Sequence, residues 1–505
     1  MKNNFLTRII SFSLILVMMF AVFSCSSENP DTGVAVTTAA TEADTDSEAP
    51  VVDADNRFID VDYKGREFRI YTSINVEDAT NANSFIEGAG ELTGDIVDDA
   101  VYERNMLVED LLGVKLTYTQ SNFKYDAAAN GIRTYVMAGA DEYDLIINDL
   151  RAMAALGIEG MFHEISDTDN FDYSKAYWYN DYMQDLEIIP GYFYVMAGDY
   201  FMDVIASCHA LFYNKQLAEN YFGDPNYIYN LVLDGNWTYD EMTKTISEIY
   251  SDLNGDGVVN EGDLFGLSVH GTWGSAIPFI GSSGMNFIDR SSGYPEFAMN
   301  DERSVKYVDA LNAVFHSPAT LGTITDSADF NAGLRKLFAE SKTFIVGYQR
   351  LGDLVKMRDI EFDIGVIPYP KLELSDEYIT STHDTTEVGV FPITCTDLDF
   401  ITTVVEVLNR ETAALVIPQY YETALKVKYT TDTISATMID IIHDSFGSTF
   451  PLAYSDSLTH ILLESYSNNL PNNTNNFASV YAGKETAANA QLQKMIDTEL
   501  ANISQ

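Results

Sequence analysis

The residues best spaced for chemistry lie between 252 and 263. Asp252-Leu-Asn254-Gly-Asp256-Gly257-Val258-Val259-Asn260-Glu261-Gly262-Asp263 sets oxygen-bearing side chains at loop positions 1, 3, 5, 9 and 12. Gly257, at position 6, permits the sharp turn, and Val258 at position 7 offers a carbonyl. A calcium ion takes roughly six to eight oxygen ligands from a short, tightly curved loop, and this pattern supplies them. The expected cofactor is therefore a structural Ca2+ held by Asp252, Asn254, Asp256, Val258, Asn260 and Asp263. Asp in place of Glu at position 12 shortens one arm. The competing reading is a polar turn that holds no metal.

Catalytic signatures are missing. No HExxH, GxSxG, GxxxxGK[ST] or GxGxxG stands in the chain. His163-Glu-Ile-Ser-Asp167 and His383-Asp-Thr-Thr-Glu387 lack metal spacing and read as loops. With 76 acidic residues, the presence of carboxylate pairs carries no information about glycoside chemistry. The expectation is that the protein is not an enzyme.

The elements around these residues alternate. Glu67 to Tyr71 reads as a strand, Asp98 to Leu112 as a helix, Val114 to Tyr118 as a strand. Tyr125 to Ala138 reads as a helix and Tyr143 to Asn148 as a strand. That order predicts a parallel sheet with right-handed crossovers. Ligands of such sheets sit beyond the carboxyl ends of strands, which points to Asn148, Asp149 and Arg151. Farther on, a helix is expected over Tyr239–Tyr250 and strands over Thr343–Gly347 and Asp363–Ile367.

The first residues describe export. Lys2 and Arg8 precede and flank an apolar run, and Val22-Phe23-Ser24-Cys25 follows it. The run is short for a membrane span and fits a secretory signal over 1–24. Cys25 after a small residue resembles the lipobox of bacterial lipoproteins, so Cys25 is the expected lipidation site. Residues 25–57 are rich in Ser, Thr, Ala, Asp and Glu and read as a flexible tether. The net charge of −47 argues against nucleic acid and polyanionic ligands, since no basic stripe can neutralise phosphates. Cys208 and Cys395, both in apolar surroundings, read as buried free thiols, with a disulfide as the alternative.

Several segments together resemble the extracellular solute-binding proteins of ABC importers, in the carbohydrate-binding family that includes maltodextrin-binding protein. Tyr143-Asp-Leu-Ile-Ile-Asn-Asp149 resembles that family's strand after the second helix. Leu211-Phe-Tyr-Asn-Lys215 followed by Gly235-Asn-Trp-Thr-Tyr-Asp-Glu241 is similar to its "FNK … TWEE" signature. Ala339 to Gly347 and Ile364-Gly-Val-Ile-Pro-Tyr-Pro370 resemble a further conserved-looking pair of its segments. The likeness covers roughly 60 to 440. The loop at 252–263 likewise matches the calcium loops of EF-hands and dockerins.

The resemblance implies an α/β protein of the two-lobed periplasmic-binding-protein type II fold, closing on ligand by a hinge. The expected lobes are 58–200 with 331–397, and 201–330 with 398–505. It implies a sugar ligand, ABC permease subunits as partners, a monomer, and a position outside the cytoplasm on the bacterial membrane. Aromatic faces pack on the C–H face of a sugar, and planar polar groups pair with its hydroxyls. Trp273 and Tyr348 match aromatic positions of the family's cleft, and Asn148 and Asp149 match its polar positions. Trp178 is a further cleft candidate, with His270, Arg151 and Arg350 as weaker ones, while Trp237 reads as core. The alternatives are a surface glycan-binding lipoprotein without transport, and a lipid-anchored glycoside hydrolase.

Overall fold

Phe68 and Ile70 are buried while Arg69 between them is half exposed, and this alternation starts the first sheet. The computed structural model describes residues 57–58, 60–73, 85–121, 125–270, 276–322, 330–421 and 433–504. All of them belong to one unit, Asn56–Gln505. The expected signal, Cys25 and, apart from Arg57, the expected tether lie outside the described residues.

Eleven strands are present among the described residues. They are β1 (Arg66–Ser73), β2 (Val114–Ser121), β3 (Leu145–Asp149), β4 (His209–Asn214), β5 (Phe265–Ser268) and β6 (Ile288–Asp289). The rest are β7 (Glu296–Phe297), β8 (Thr320–Leu321), β9 (Thr343–Arg350), β10 (Ile364–Ile367) and β11 (Glu387–Val390). The first sheet has the order β11-β3-β1-β2 and the second β10-β4-β9-β5-β8, with β6 and β7 forming a small ribbon. β1 pairs in parallel with both β2 and β3, as the strand-helix alternation predicts, while β11 adds antiparallel to β3. β3 is buried along its whole length. Its Leu145, Ile146 and Ile147 each contribute roughly 1.5–3 kcal/mol by leaving water.

The helix between β1 and β2 runs Ile96–Leu112, two residues longer at its start than the apolar stripe indicated. Asp95 caps it by accepting the Val97 N–H at 3.0 Å. Gly113 ends it at φ 60°, where a Cβ would stand 2.2 Å from Asp62 Oδ1. Arg104 on this helix is fully buried. Its guanidinium donates to the carbonyls of Phe85 and Ile86 and to Thr412 Oγ1, and lies over the Tyr200 ring.

The sheets do not follow the expected lobe boundaries. β9 and β10 fall within 331–397, expected in the first lobe, yet both pair with β4 in the second sheet. β4 offers one edge to each of them, so neither can join the first sheet. Only β11 returns to β3. Helix Leu398–Glu411, expected in the second lobe, packs on helix Ile96–Leu112, and its Phe400 meets Phe68 at 5.9 Å between ring centroids. Cys208 and Cys395 are both buried free thiols.

Candidate ligand site at the chain crossings

Three segments that pass between the two halves of the molecule lie side by side. The helical turn Asp203–Ala206 leads into β4, and residues 380–386 lead back to β11. His209 N–H donates to the Ser381 carbonyl at 2.8 Å, and His383 N–H to the Ser207 carbonyl at 2.9 Å. Residues 445–447 join them, with Thr380 N–H on the Ser445 carbonyl at 2.7 Å and Gly447 N–H on the Thr380 carbonyl at 2.8 Å. Asp203 holds one crossing to the next, because its Oδ2 accepts the Glu387 N–H at 2.8 Å.

β3 ends against these crossings, with Asp149 opposite Glu387. Asp149 Oδ1 accepts the N–H groups of Arg151 at 2.9 Å and Ala152 at 3.3 Å, and so caps helix Leu150–Ile158. Its Oδ2 is buried and finds no partner among the described residues; the same is true of Asn148 Nδ2. Burial pushes the Asp149 carboxyl up to about 7, against the downward pull of Arg151 and with a further push from Asp384. Arg151 Nη1 reaches Asp384 at 3.3 Å and Asp456 at 3.7 Å. A cavity of about 270 Å3 opens here, lined by Asn130, Arg133, Asp149, Arg151, Asp456 and Ser457 among others. That volume sits near the lower end of small-molecule sites, roughly 300–1,000 Å3.

An aromatic cluster adjoins it through Asp384, whose Oδ1 is 3.1 Å from His383 Nδ1. Tyr348 faces His209, His270 and His383 at centroid distances of 6.3, 5.7 and 6.4 Å. A β-bulge aims it. Ala210 pairs with Gln349 and Phe212 with Val346, so Gly347 and Tyr348 together oppose Leu211. Tyr348 has φ 59°, a left-handed conformation unusual for a bulky residue, and such strain concentrates at ligand sites. Burial holds His209 far below the usual imidazole range, helped by His383 and Arg350, and burial also lowers His270. His209 and His270 are therefore held in the neutral form near pH 7.

The structure gathers Asn148, Asp149, Arg151, His270 and Tyr348 from the sequence candidates. Trp273 lies outside the described residues. Trp178 is not a cleft residue: it is 3% exposed, packs 4.6 Å from Phe171, and donates Nε1–H to Glu406 Oε2 at 2.8 Å. Arg350 is occupied by Asp353, 3.5 Å away. Trp237 is fully buried, as expected, and donates to the Pro368 carbonyl. Sequence reasoning missed His209 and Asp456, and left His383 and Asp384 in a loop. Their only signal is that each lies at or near a crossing, which pairing alone reveals. The close group Asp141, Asp144 and Cys395 is no open metal site, since Arg69 forks onto both carboxylates.

Solved structures with this architecture share little sequence. The GacH receptor of Streptomyces glaucescens GLA.O, described unliganded and with acarbose, matches 85% of this chain and 99% of its own, at 13% identity and a TM-score of 0.53. An ABC transporter solute-binding protein of Thermotoga lettingae TMO, bound to α-D-tagatose, matches 85% and 100%, at 14% identity and 0.54. A cyclo/maltodextrin-binding protein with maltotetraose matches 87% and 98%, at 12% identity and 0.53.

The fold is that of ABC-transporter solute-binding proteins.

No protein-family model and no curated protein sequence matches the chain. In this solute-binding fold the structural neighbours are binding proteins rather than enzymes. The crossings, the end of β3 and the Tyr348 bulge meet between its two sheets. No described helix is long and apolar enough to cross a membrane.

Proposed function

We propose that the protein is a lipid-anchored, extracytoplasmic solute-binding protein that captures a carbohydrate between its sheets and delivers it to an ABC permease. The observation that carries this reading is the strained Tyr348 beside the neutral imidazoles of His209 and His270, one step from the Asp149–Arg151–Asp384 cluster. An aromatic face next to fixed charged donors and acceptors suits an uncharged ligand with an apolar face and many hydroxyls. The crossings provide the hinge, and ligand touching both sides stabilises the closed form. Val22-Phe23-Ser24-Cys25 supports an acyl anchor, with 26–57 as its tether. The protein works as a monomer and leaves its ligand unaltered.

A panel of neutral oligosaccharides in a thermal-shift assay, followed by calorimetry, tests the reading. At least one sugar should raise the unfolding temperature. Arg151→Ala should weaken it by about 1.5–3 kcal/mol, the worth of hydrogen bonds to a charged group, with the fold intact. Chromatography of the incubated sugar should show no new products; cleavage would make the protein a hydrolase. Cys25→Ser should release the protein from the membrane fraction, and unchanged partitioning would remove the anchor.

A further inference from the structure

The loop 252–263 takes no part in the ligand site, and its geometry carries a separate conclusion. Ser251 and Leu264 exchange both backbone hydrogen bonds, at 3.0 and 2.9 Å, and close the loop at its base. In an antiparallel pair, residues one step inward face each other with side chains on one side. Asp252 and Asp263 therefore stand together at the mouth. Asp252 Oδ1 and Oδ2 accept the N–H groups of Gly255 and Gly257 at 2.7 and 2.9 Å and curl the loop inward. Gly255 and Gly257 take φ of 69° and 70°, which that curl requires.

Four further groups meet inside the curl. Asn254 Nδ2 lies 3.1 Å from both Asp256 Oδ2 and Asn260 Oδ1. Asn260 Nδ2 lies 2.9 Å from Asp256 Oδ2 and 2.8 Å from the Val258 carbonyl. Either amide turned about its last bond presents an oxygen where its nitrogen stands. The independent observation is Asp263. Its side chain is fully buried; Oδ2 accepts the Asn260 N–H at 3.2 Å and the Tyr250 hydroxyl at 3.4 Å. Its Oδ1 is buried with no hydrogen-bond partner among the described residues. A buried carboxylate oxygen left unpaired at the closure of an oxygen-rich loop calls for a partner of opposite charge, which a cation in the loop supplies.

We propose that this loop is a calcium site, ligated by side-chain oxygens of Asp252, Asn254, Asp256, Asn260 and Asp263 and by the Val258 carbonyl. The donor set is all oxygen and flexible. It suits calcium, whereas magnesium demands a tighter octahedron and keeps its waters. The bound ion fixes the joint between helix Tyr239–Ile249 and β5, the strand that ends two residues before His270. The proposal rests on the loop alone and stands or falls apart from the sugar reading.

The test uses the mature chain, freed of metal by chelator and titrated with CaCl2 by calorimetry. One ion per chain should bind, with a dissociation constant at or below about 10⁻³ M, the range of extracellular calcium modules. The unfolding temperature should rise, and an equal concentration of MgCl2 should not reproduce the effect. The double variant Asp252→Asn/Asp256→Asn should bind at least tenfold more weakly while keeping the wild-type circular dichroism spectrum. Terbium gives a readout that does not depend on that variant folding: wild-type emission excited through tyrosine should fall in Tyr250→Phe, whose calcium heat persists. No saturable heat, or calcium binding unchanged in the double variant, would overturn the site. Terbium emission indifferent to Tyr250→Phe would place any bound ion elsewhere and overturn it equally.

Discussion

Two aromatic clusters of this molecule look alike in sequence and behave oppositely in structure. Around Trp178, Phe171 and Tyr173 pack at 4.6 and 5.6 Å. Their polar atoms are closed off, because Glu406 accepts from Trp178 Nε1 at 2.8 Å, from the Tyr177 hydroxyl at 2.7 Å and from Arg57 at 2.7 Å. Around Tyr348 the rings stand wider apart, Tyr348 and His270 are only half buried, and the backbone is strained. Complete pairing and tight packing mark a wall of the core. Open spacing with local strain sets the Tyr348 cluster apart from such a wall.

Trp178→Ala should break the comparison most strongly if it is wrong. Removing a buried Trp of this kind costs about 3–5 kcal/mol, read by denaturant unfolding. Sugar affinity of the folded fraction should not change; a selective loss of affinity would return Trp178 to the cleft. Substitutions at Tyr348 should do the reverse. Both Tyr348→Ala and Tyr348→Gly should lose affinity, but the glycine variant should be more stable than the alanine variant by about 1–2 kcal/mol, because only glycine accepts φ 59° without strain. Equal stabilities would mean that the bulge is not held in that conformation.

A further comparison concerns pH. Asp149 titrates near 7 in the folded state, against about 3.9 in an unfolded chain. The folded state keeps the proton longer, so the stabilisation is complete below about pH 4 and is lost as pH rises through 7. Asp149→Asn keeps a cap for helix Leu150–Ile158 and removes that titration. Its stability should fall less than the wild type's between pH 4 and 7.5. Asp199 and Glu499, raised by burial to about 7 and 8, act in both proteins and cancel in the difference. Parallel curves would show that Asp149 is not shifted.

Local patterns were legible where they were local. Alternation in Glu67–Tyr71 and the apolar stripe of Val101, Val108 and Leu112 sufficed for β1, its parallel neighbours and the helix between them. Asn148 and Asp149 followed from the rule that sites lie at strand ends. What failed was decided by distant partners. Trp178 is core because of Glu406, which stands 228 positions away. Arg104 would pass for a surface residue, yet carbonyls from 85 and 86 and the Thr412 hydroxyl hold it inside. β9 and β10 changed lobes because β4 offered them edges. The bulge at Tyr348 exists only relative to the register of β4, and no count along β9 alone reveals it.

The side-by-side backbone bonding of 207–209, 380–383 and 445–447 has a mechanical consequence. Three segments stitched together resist sliding and twisting, as a piano hinge does, and leave bending about a single axis as the soft coordinate. Whatever the molecule grips, it should grip by swinging along one reproducible arc, so that every closure brings the same faces together.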